Sequence, residues 1–108
     1  MTAIYDHGTV VAHVEGDQIA LHPHIATLPP DHPERRWTLA LALATIRTSP
    51  TANHDDPEAF ARDARARLIP SADVATLATL PLRHAAHHFG VPPRQARIRR
   101  AELGLSTQ

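Results

Sequence analysis

The chain has 108 residues, of which 43% are hydrophobic, and its formal net charge is zero when its nine histidines are neutral. This length and composition indicate one globular domain and argue against wholesale disorder. The lack of cysteine excludes disulfides, thiolate zinc sites and cysteine nucleophiles. There is no run of about 20 apolar residues to span a bilayer and no signal-peptide pattern, so we expect a cytoplasmic protein without a membrane partner.

The charge is distributed unevenly along the chain. Residues 1 to 34 contain five acids and no arginine, whereas residues 83 to 100 contain five arginines and no acid. All eleven basic residues are arginine. The nine histidines make the net charge sensitive to mild acid.

Two short strands come first in chain order. Residues 9 to 14 are largely β-branched or apolar, residues 15 to 17 interrupt the run at a glycine, and Ile19 and Leu21 then alternate with polar neighbours. This pattern predicts a β-hairpin that packs against helices, within a small sheet of two or three strands. Residues 22 to 30, with three prolines, are expected to form a loop.

A helix start follows at Asp31, which is predicted to cap a helix with Pro33 in its first turn and Glu34 three residues after the cap. The helix should end near Arg47. Residues 37 to 46 contain only two polar side chains, both threonine, so we expect this helix to be buried on nearly all sides.

The side chains of this helix divide into two predicted faces. Leu39, Leu43 and Ile46 form one, and Leu41 with Thr45 forms the other. Trp37 is expected to pack in the core or at its rim.

A further helix is predicted to begin at residues 55 to 58, because acids suit the positive end of a helix dipole. Phe60, Ala64 and Leu68 give it one apolar stripe, and Arg62, Asp63 and Arg65 occupy the rest of the helix. The helix should stop before a proline at position 70.

Proline and glycine mark the elements of the C-terminal part. Ser71 is predicted to cap a short helix, and two more helices are predicted over residues 82 to 89 and 94 to 103, closed by Gly90 and Gly104. A helix, a Gly-Val turn and a second helix have the outline of a helix-turn-helix. The predicted fold class is therefore α+β, with a small antiparallel sheet on about five helices.

Taken in order, four runs of the chain resemble the ImmA/IrrE family of zinc metallopeptidase-like domains. They are IALHP at 19 to 23, ERRWTLA at 34 to 40, ARARLIP at 64 to 70, and the tail from FGVPP through RIR to LGL at 89 to 105. The resemblance implies one zincin-like minimal domain over residues 1–108, with a peptidase-like core at 1–80 and a helical subdomain at 81–108.

The chain departs from this family at the catalytic motif. In HExxH, two histidines on one helix face hold zinc and the glutamate is the general base. The corresponding positions here are Leu41, Ala42 and Thr45, which supply neither ligands nor a base, and Glu58 lies about one residue from the third-ligand position. We therefore expect no catalytic residue and no zinc or other cofactor.

The first hypothesis for function is a catalytically inactive ImmA/IrrE-like pseudopeptidase that regulates a protein partner. The resemblance implies a phage or mobile-element circuit, with a transcriptional repressor or an active paralogous peptidase as the partner. Trp37, Leu41 and Thr45 would line its groove. With leucine at position 41 the floor of the groove is apolar, which suits it to packing against a protein partner. The oligomeric state stays open.

The second hypothesis is a DNA-binding regulator that uses the C-terminal helix-turn-helix-like segment. Its candidate contacts to phosphates or bases are Arg94, Arg97, Arg99 and Arg100. The alternative interpretation is a solvated arginine face on a helix that closes the core, and the neutral charge of the whole chain favours that alternative.

The third hypothesis is a metal-dependent hydrolase with relocated ligands. His84 and His88 stand four residues apart on a predicted helix with His87 between them, and His54 or Glu58 could contribute. Asp55, Asp56 and Glu58 could also form a carboxylate pair for acid-base chemistry or a weak cation site. The competing interpretations are a partly solvated histidine face and, for these three acids, helix capping.

Overall fold

The computed structural model describes residues 2–48 and 57–105. Within these ranges the fold is α+β, a three-stranded antiparallel sheet with six α-helices and one 3₁₀ turn at Ser71–Asp73, and no helix there is both long and apolar enough to cross a membrane. The elements are β1 (Thr2–Asp6), β2 (Thr9–Glu15), β3 (Gln18–Leu21), α1 (Pro23–Ala26), α2 (Pro33–Thr48), α3 (Pro57–Leu68), α4 (Val74–Thr79), α5 (Leu82–Phe89) and α6 (Pro93–Glu102).

The sheet has the strand order β1-β2-β3, so β2 is central and β1 is an edge strand. The predicted hairpin is confirmed as β2 and β3, with Val14 opposite Ile19 and with Gly16 at a φ of 61° in the turn. Residues of β1 were not singled out from the sequence. The strand pairs antiparallel with β2 and carries an irregularity between Ile4 and Tyr5.

Helix α2 begins at Pro33 as predicted, but Asp31 does not cap it. The ring Nδ1 of His32 accepts the backbone N–H of Glu34 at 3.2 Å, and the carbonyl of His32 accepts the N–H of Arg36. Imidazole takes the capping place because His32, not Asp31, directly precedes the first helical residue.

The expectation that α2 is buried on nearly all sides holds for most of residues 37 to 46, of which Leu43 alone is exposed. Trp37, Leu41 and Thr45 lie on the buried side and are 1%, 5% and 2% exposed. Leu43 is 45% exposed, so it does not form a buried face with Leu39 and Ile46, which are only partly buried. Because the outer side of this helix is also apolar, the sequence does not show which side packs against the core.

Two other local predictions also need correction. Residues 23–26, expected in a loop, form the single helical turn α1, where the ring of His22 accepts the N–H of His24. Ser71 starts a 3₁₀ turn without a capping side chain, and the helix after it begins at Val74. The closure of α5 by Gly90 is confirmed, with a left-handed φ of 67°.

The buried apolar side chains form two clusters. The first joins the sheet to α1, α2 and α3 around Trp37 and Leu41. The second joins the C-terminal helices around Leu77 and Phe89, and it already includes Ile69, which follows α3. Leu68 packs against both clusters, so the end of α3 connects the two parts of the core.

Candidate functional site

A groove runs along β1 between the sheet and helices α2 and α3. Its apolar part is a cavity of about 280 Å³ lined by four consecutive residues of β1, Thr2 to Tyr5, and by Leu41, Thr45 and Phe60. Consecutive residues of a strand point to opposite faces, so a cavity that touches all four must follow the edge of the strand. The free edge of β1 is the edge away from β2.

The floor of this apolar part comes from the two positions predicted to face the groove. Leu41 and Thr45 are one turn apart on α2 and both line the cavity. The Thr45 hydroxyl donates to the Leu41 carbonyl at 3.0 Å, so it is used within the helix. Ala42 is fully buried in the first cluster and does not line the groove. Leu41 and Thr45 thus present apolar surface to the groove, and neither they nor Ala42 offer an imidazole or carboxylate as a metal ligand.

The groove continues into a polar part of about 270 Å³, which shares Tyr5 and Leu41 with the apolar part. Arg65 and Gln95 contribute buried side chains to its lining, and Glu58 contributes an exposed one. One groove therefore has an apolar section along β1 and a polar section at the carboxyl end of that strand.

The side chain of Arg65, which lies outside the predicted apolar stripe of α3, is 2% exposed. Arg65 donates to Glu102 at 2.8 Å, to Gln95 at 3.1 Å and to Glu58. Burial works to lower the pKa of Arg65, but the hydrogen bonds to Glu102 and Glu58 raise it. The net shift is upward. The buried, charged side chain of Arg65 thus connects α3 to α6.

Glu58, the candidate for a displaced zinc ligand, forms an ion pair with Arg65. The Glu58 carboxylate is therefore engaged in a charge-assisted hydrogen bond within the protein. His54, Asp55 and Asp56, which were considered with Glu58, lie outside the described residues.

Trp37 confirms its predicted place in the core and also lines the polar section. Its indole N–H is buried without a hydrogen-bond partner among the described residues. A buried donor without an acceptor costs about 1–3 kcal/mol. Trp37 therefore contributes packing, while its polar atom adds nothing to stability.

Three of the four arginines proposed as nucleic-acid contacts are engaged inside the molecule. Arg94 forms ion pairs with Asp6 at 2.7 Å and with Glu34 at 2.8 Å. The alternative of a solvated arginine face is also wrong for the other two, which are buried and donate to backbone carbonyls: Arg99 to Ile69, and Arg100 to Leu77 and Leu80.

Arg97 is the one exposed arginine of this set. A recognition helix needs several free cationic or amide side chains on one face. The other three arginines of α6 instead contact helix ends and carboxylates of the same domain. These internal contacts explain why the C-terminal run is basic.

The histidine face of α5 is solvated, in agreement with the simpler interpretation. His84, His87 and His88 are all exposed, whereas Ala85, Ala86 and Phe89 are buried. Within residues 2–48 and 57–105, no three or more histidine, aspartate or glutamate side chains are grouped so as to hold a metal ion.

Comparison of the chain with protein-family models, with curated proteins and with solved structures finds no match. The geometry of the groove is therefore the basis on which function can be argued.

Two features of the groove were missed in the sequence. The first is β1, because five residues with only one large aliphatic side chain give a weak strand pattern. The second is the Arg65–Gln95 pair, which joins residues 30 positions apart through a long-range contact. The β-branched and aromatic residues Thr2, Ile4 and Tyr5 were a usable signal for β1, whereas no local pattern indicates Arg65.

Proposed function

We propose that this protein is a catalytically inactive binding module that holds an extended segment of a protein partner along the free edge of β1. The observation that carries the proposal is the apolar groove lined by residues 2 to 5 of β1 and by Leu41, Thr45 and Phe60. An edge strand offers unpaired backbone N–H and C=O groups to a peptide, and side pockets select its side chains.

The chemistry of the groove supports binding over hydrolysis. Leu41 and Thr45 supply neither a base nor a metal ligand at its floor. The two carboxylates in the lining of the polar section, Asp6 and Glu58, are paired with Arg94 and Arg65. The groove is open and mostly apolar, a setting that gains free energy by covering hydrophobic surface. Such a site retains a peptide better than it activates a water molecule.

The resemblance to ImmA/IrrE domains gives this proposal a setting. On that hypothesis α2 is the helix that carries HExxH in active members, and the groove is the remnant of the substrate cleft. The partner would then be a transcriptional repressor or a paralogous peptidase of a phage or mobile-element circuit.

The two other hypotheses from the sequence gain less support. DNA binding through α6 would rely mainly on Arg97, because Arg94, Arg99 and Arg100 have internal partners. A hydrolase with relocated ligands would need His84 and His88 to recruit an acid, and α5 contains none.

The test of the proposal is site-specific photo-crosslinking in native lysate. A crosslinking residue at Tyr5, which is 57% exposed and lines the groove, should trap one defined protein. The matched control is the same residue at Leu43, which is 45% exposed and lies on α2 outside the groove lining. A synthetic peptide from the trapped region should then bind the purified protein and protect the backbone amides of β1 from hydrogen exchange.

Substitution gives the second arm of the same test. Tyr5→Asp should weaken binding of that peptide about tenfold or more, because it places a charge in an apolar groove, while Leu43→Asp should leave binding unchanged. Equal trapping at both positions, or a peptide that binds both variants alike, would show that the partner contacts another surface.

A further inference from the structure

A second concave surface lies on the opposite side of α2 from the groove floor, where the start of α2 meets the end of α5. This cleft has a volume of about 460 Å³. Four of the side chains that line it carry basic nitrogen atoms, namely His32, Arg36, His87 and His88, and one is acidic, Asp31. None of these side chains belongs to the groove along β1.

The hydrogen bonds around His32 define which of its ring nitrogens can meet a ligand. Its Nδ1 accepts the backbone N–H of Glu34, so in the neutral ring the proton is on Nε2. A protonated nitrogen donates a hydrogen bond and cannot ligate a metal ion. His32 can therefore donate a hydrogen bond through Nε2 while its neutral ring accepts the N–H of Glu34.

Arg36 adds a permanent positive charge to the same surface. Its Nη2 donates to the carbonyl of Phe89 at 3.4 Å, which holds the guanidinium against the end of α5. The guanidinium has five N–H donors, and this contact uses one of them. A fixed cation beside the histidines repels metal ions and attracts anions.

His87 and His88 complete the set from α5. Both are exposed, and no described residue makes a hydrogen bond to either ring, so their nitrogens are available to a ligand. The ring of His88 packs edge-on against Phe89, with centroids 4.9 Å apart.

The charges that face the cleft from neighbouring elements do not cancel these donors. Asp31 is the acid of the lining, and Glu34, the next acid on α2, is paired with Arg94. Helix α4, which packs on α5, has no charged residue, and in α6 the groups Arg94, Arg99 and Arg100 have internal partners while Arg97 is exposed.

We propose that this cleft is an anion site that takes a phosphate-type oxyanion, with Arg36, His32 and the pair His87 and His88 as donors. A phosphate group carries several acceptor oxygens and prefers a guanidinium together with N–H donors. The cleft is larger than the anion alone, so it has room for a substituent on a phosphate monoester.

The test is titration of the purified full chain with inorganic phosphate and, separately, with sodium sulfate, followed through histidine ring resonances. Both should bind saturably at about pH 6, where imidazoles gain charge. His87→Gln with His88→Gln should weaken binding about tenfold or more. His84→Gln is the matched control, because His84 is exposed on the same helix but does not line the cleft, and it should bind as the unaltered protein does.

The sulfate titration distinguishes a change in the charge of the protein from a change in the charge of the ligand. Sulfate keeps the same charge between about pH 6 and about pH 8, so weaker sulfate binding at the higher pH reports the loss of imidazolium charge. The proposal is overturned if neither anion saturates at about pH 6, or if the double variant binds as tightly as the His84→Gln control. An equal loss in both variants would also overturn it, since that result indicates diffuse attraction to the whole helix face.

Discussion

Arginine side chains close the C-terminal ends of several helices from outside those helices. The last carbonyls of a helix lack intrahelical partners and carry partial negative charge, so a guanidinium both satisfies and neutralises them. The contacts are Arg35 to the carbonyls of Ala26 and Leu28 after α1, Arg36 to Phe89 at α5, Arg99 to Ile69 after α3, and Arg100 to Leu77 and Leu80 at α4.

Substitution of Arg100 tests the value of one such contact. Arg100→Ala should lower the free energy of unfolding by about 2–4 kcal/mol, because it leaves two carbonyls without their donor and opens a cavity. Arg97→Ala on the exposed side of α6 should change it by less than about 0.5 kcal/mol. Urea denaturation of both variants gives the comparison, and a similar loss in the two would contradict the capping interpretation.

In helix α2, the limits of the helix follow from the sequence, whereas the side that is buried does not. Its limits follow from Pro33 and a run of good helix formers, both local signals. Its buried side does not follow, because Leu43 outside and Leu41 inside are chemically identical. Only the packing of β1 and α3 against one side distinguishes them, and that packing is a property of the fold.

The same division applies to the groove. Leu41 and Thr45 were placed there by resemblance, and the structure brings both to one cavity. Arg99 and Arg100 were interpreted as surface groups because their partners are carbonyls 20 to 30 residues away, which no local pattern reveals.

Restoring imidazoles to α2 tests whether its inner side has the geometry of a metal-binding helix. Leu41→His with Thr45→His places two imidazoles four residues apart in an existing cavity, and this pair should bind Co²⁺ or Zn²⁺ at least about a hundredfold more tightly than the unaltered protein. Titration with Co²⁺, followed by its visible absorption, measures the affinity. The double variant Leu39→His with Leu43→His has the same spacing on the outer side of α2 and is the control. Equal affinity in both would argue against a zincin-like helix.

At the scale of the whole molecule, two ion-pair groups fasten α6 to the rest of the chain. Arg94 joins it to Asp6 of β1 and Glu34 of α2, and Glu102 joins it to Arg65 of α3. The hydrogen bond from Arg94 lowers the pKa of Glu34 against the effect of burial. Burial works to raise the pKa of Glu102, but Arg65 and Arg99 outweigh it and the net shift is downward.

These pKa shifts predict loss of stability in acid. Both carboxyls have folded-state pKa values below the ordinary 4.5, so the unfolded chain binds protons first as the pH falls. The stabilisation is fully present above about pH 4.5 and is lost as the pH falls through the folded-state pKa values. Urea midpoints measured from about pH 7 to about pH 3 should show this decline.

The variants Glu34→Gln and Glu102→Gln should each be less stable at neutral pH and show a shallower decline in acid. Glu15→Gln is the control, since Glu15 is an exposed acid of β2 outside the ion pairs of the described residues. An unchanged pH profile in both test variants would assign the acid sensitivity to other groups.

The arginine contacts of α6 also affect which parts of the chain can fold before its synthesis is finished. Helices α3 and α4 are synthesised well before Arg99 and Arg100, the side chains that satisfy their final carbonyls. Until α6 emerges, those helices have frayed ends and the second apolar cluster lacks Ala96. The native packing of the second cluster therefore forms only after α6, the last described helix, has been synthesised.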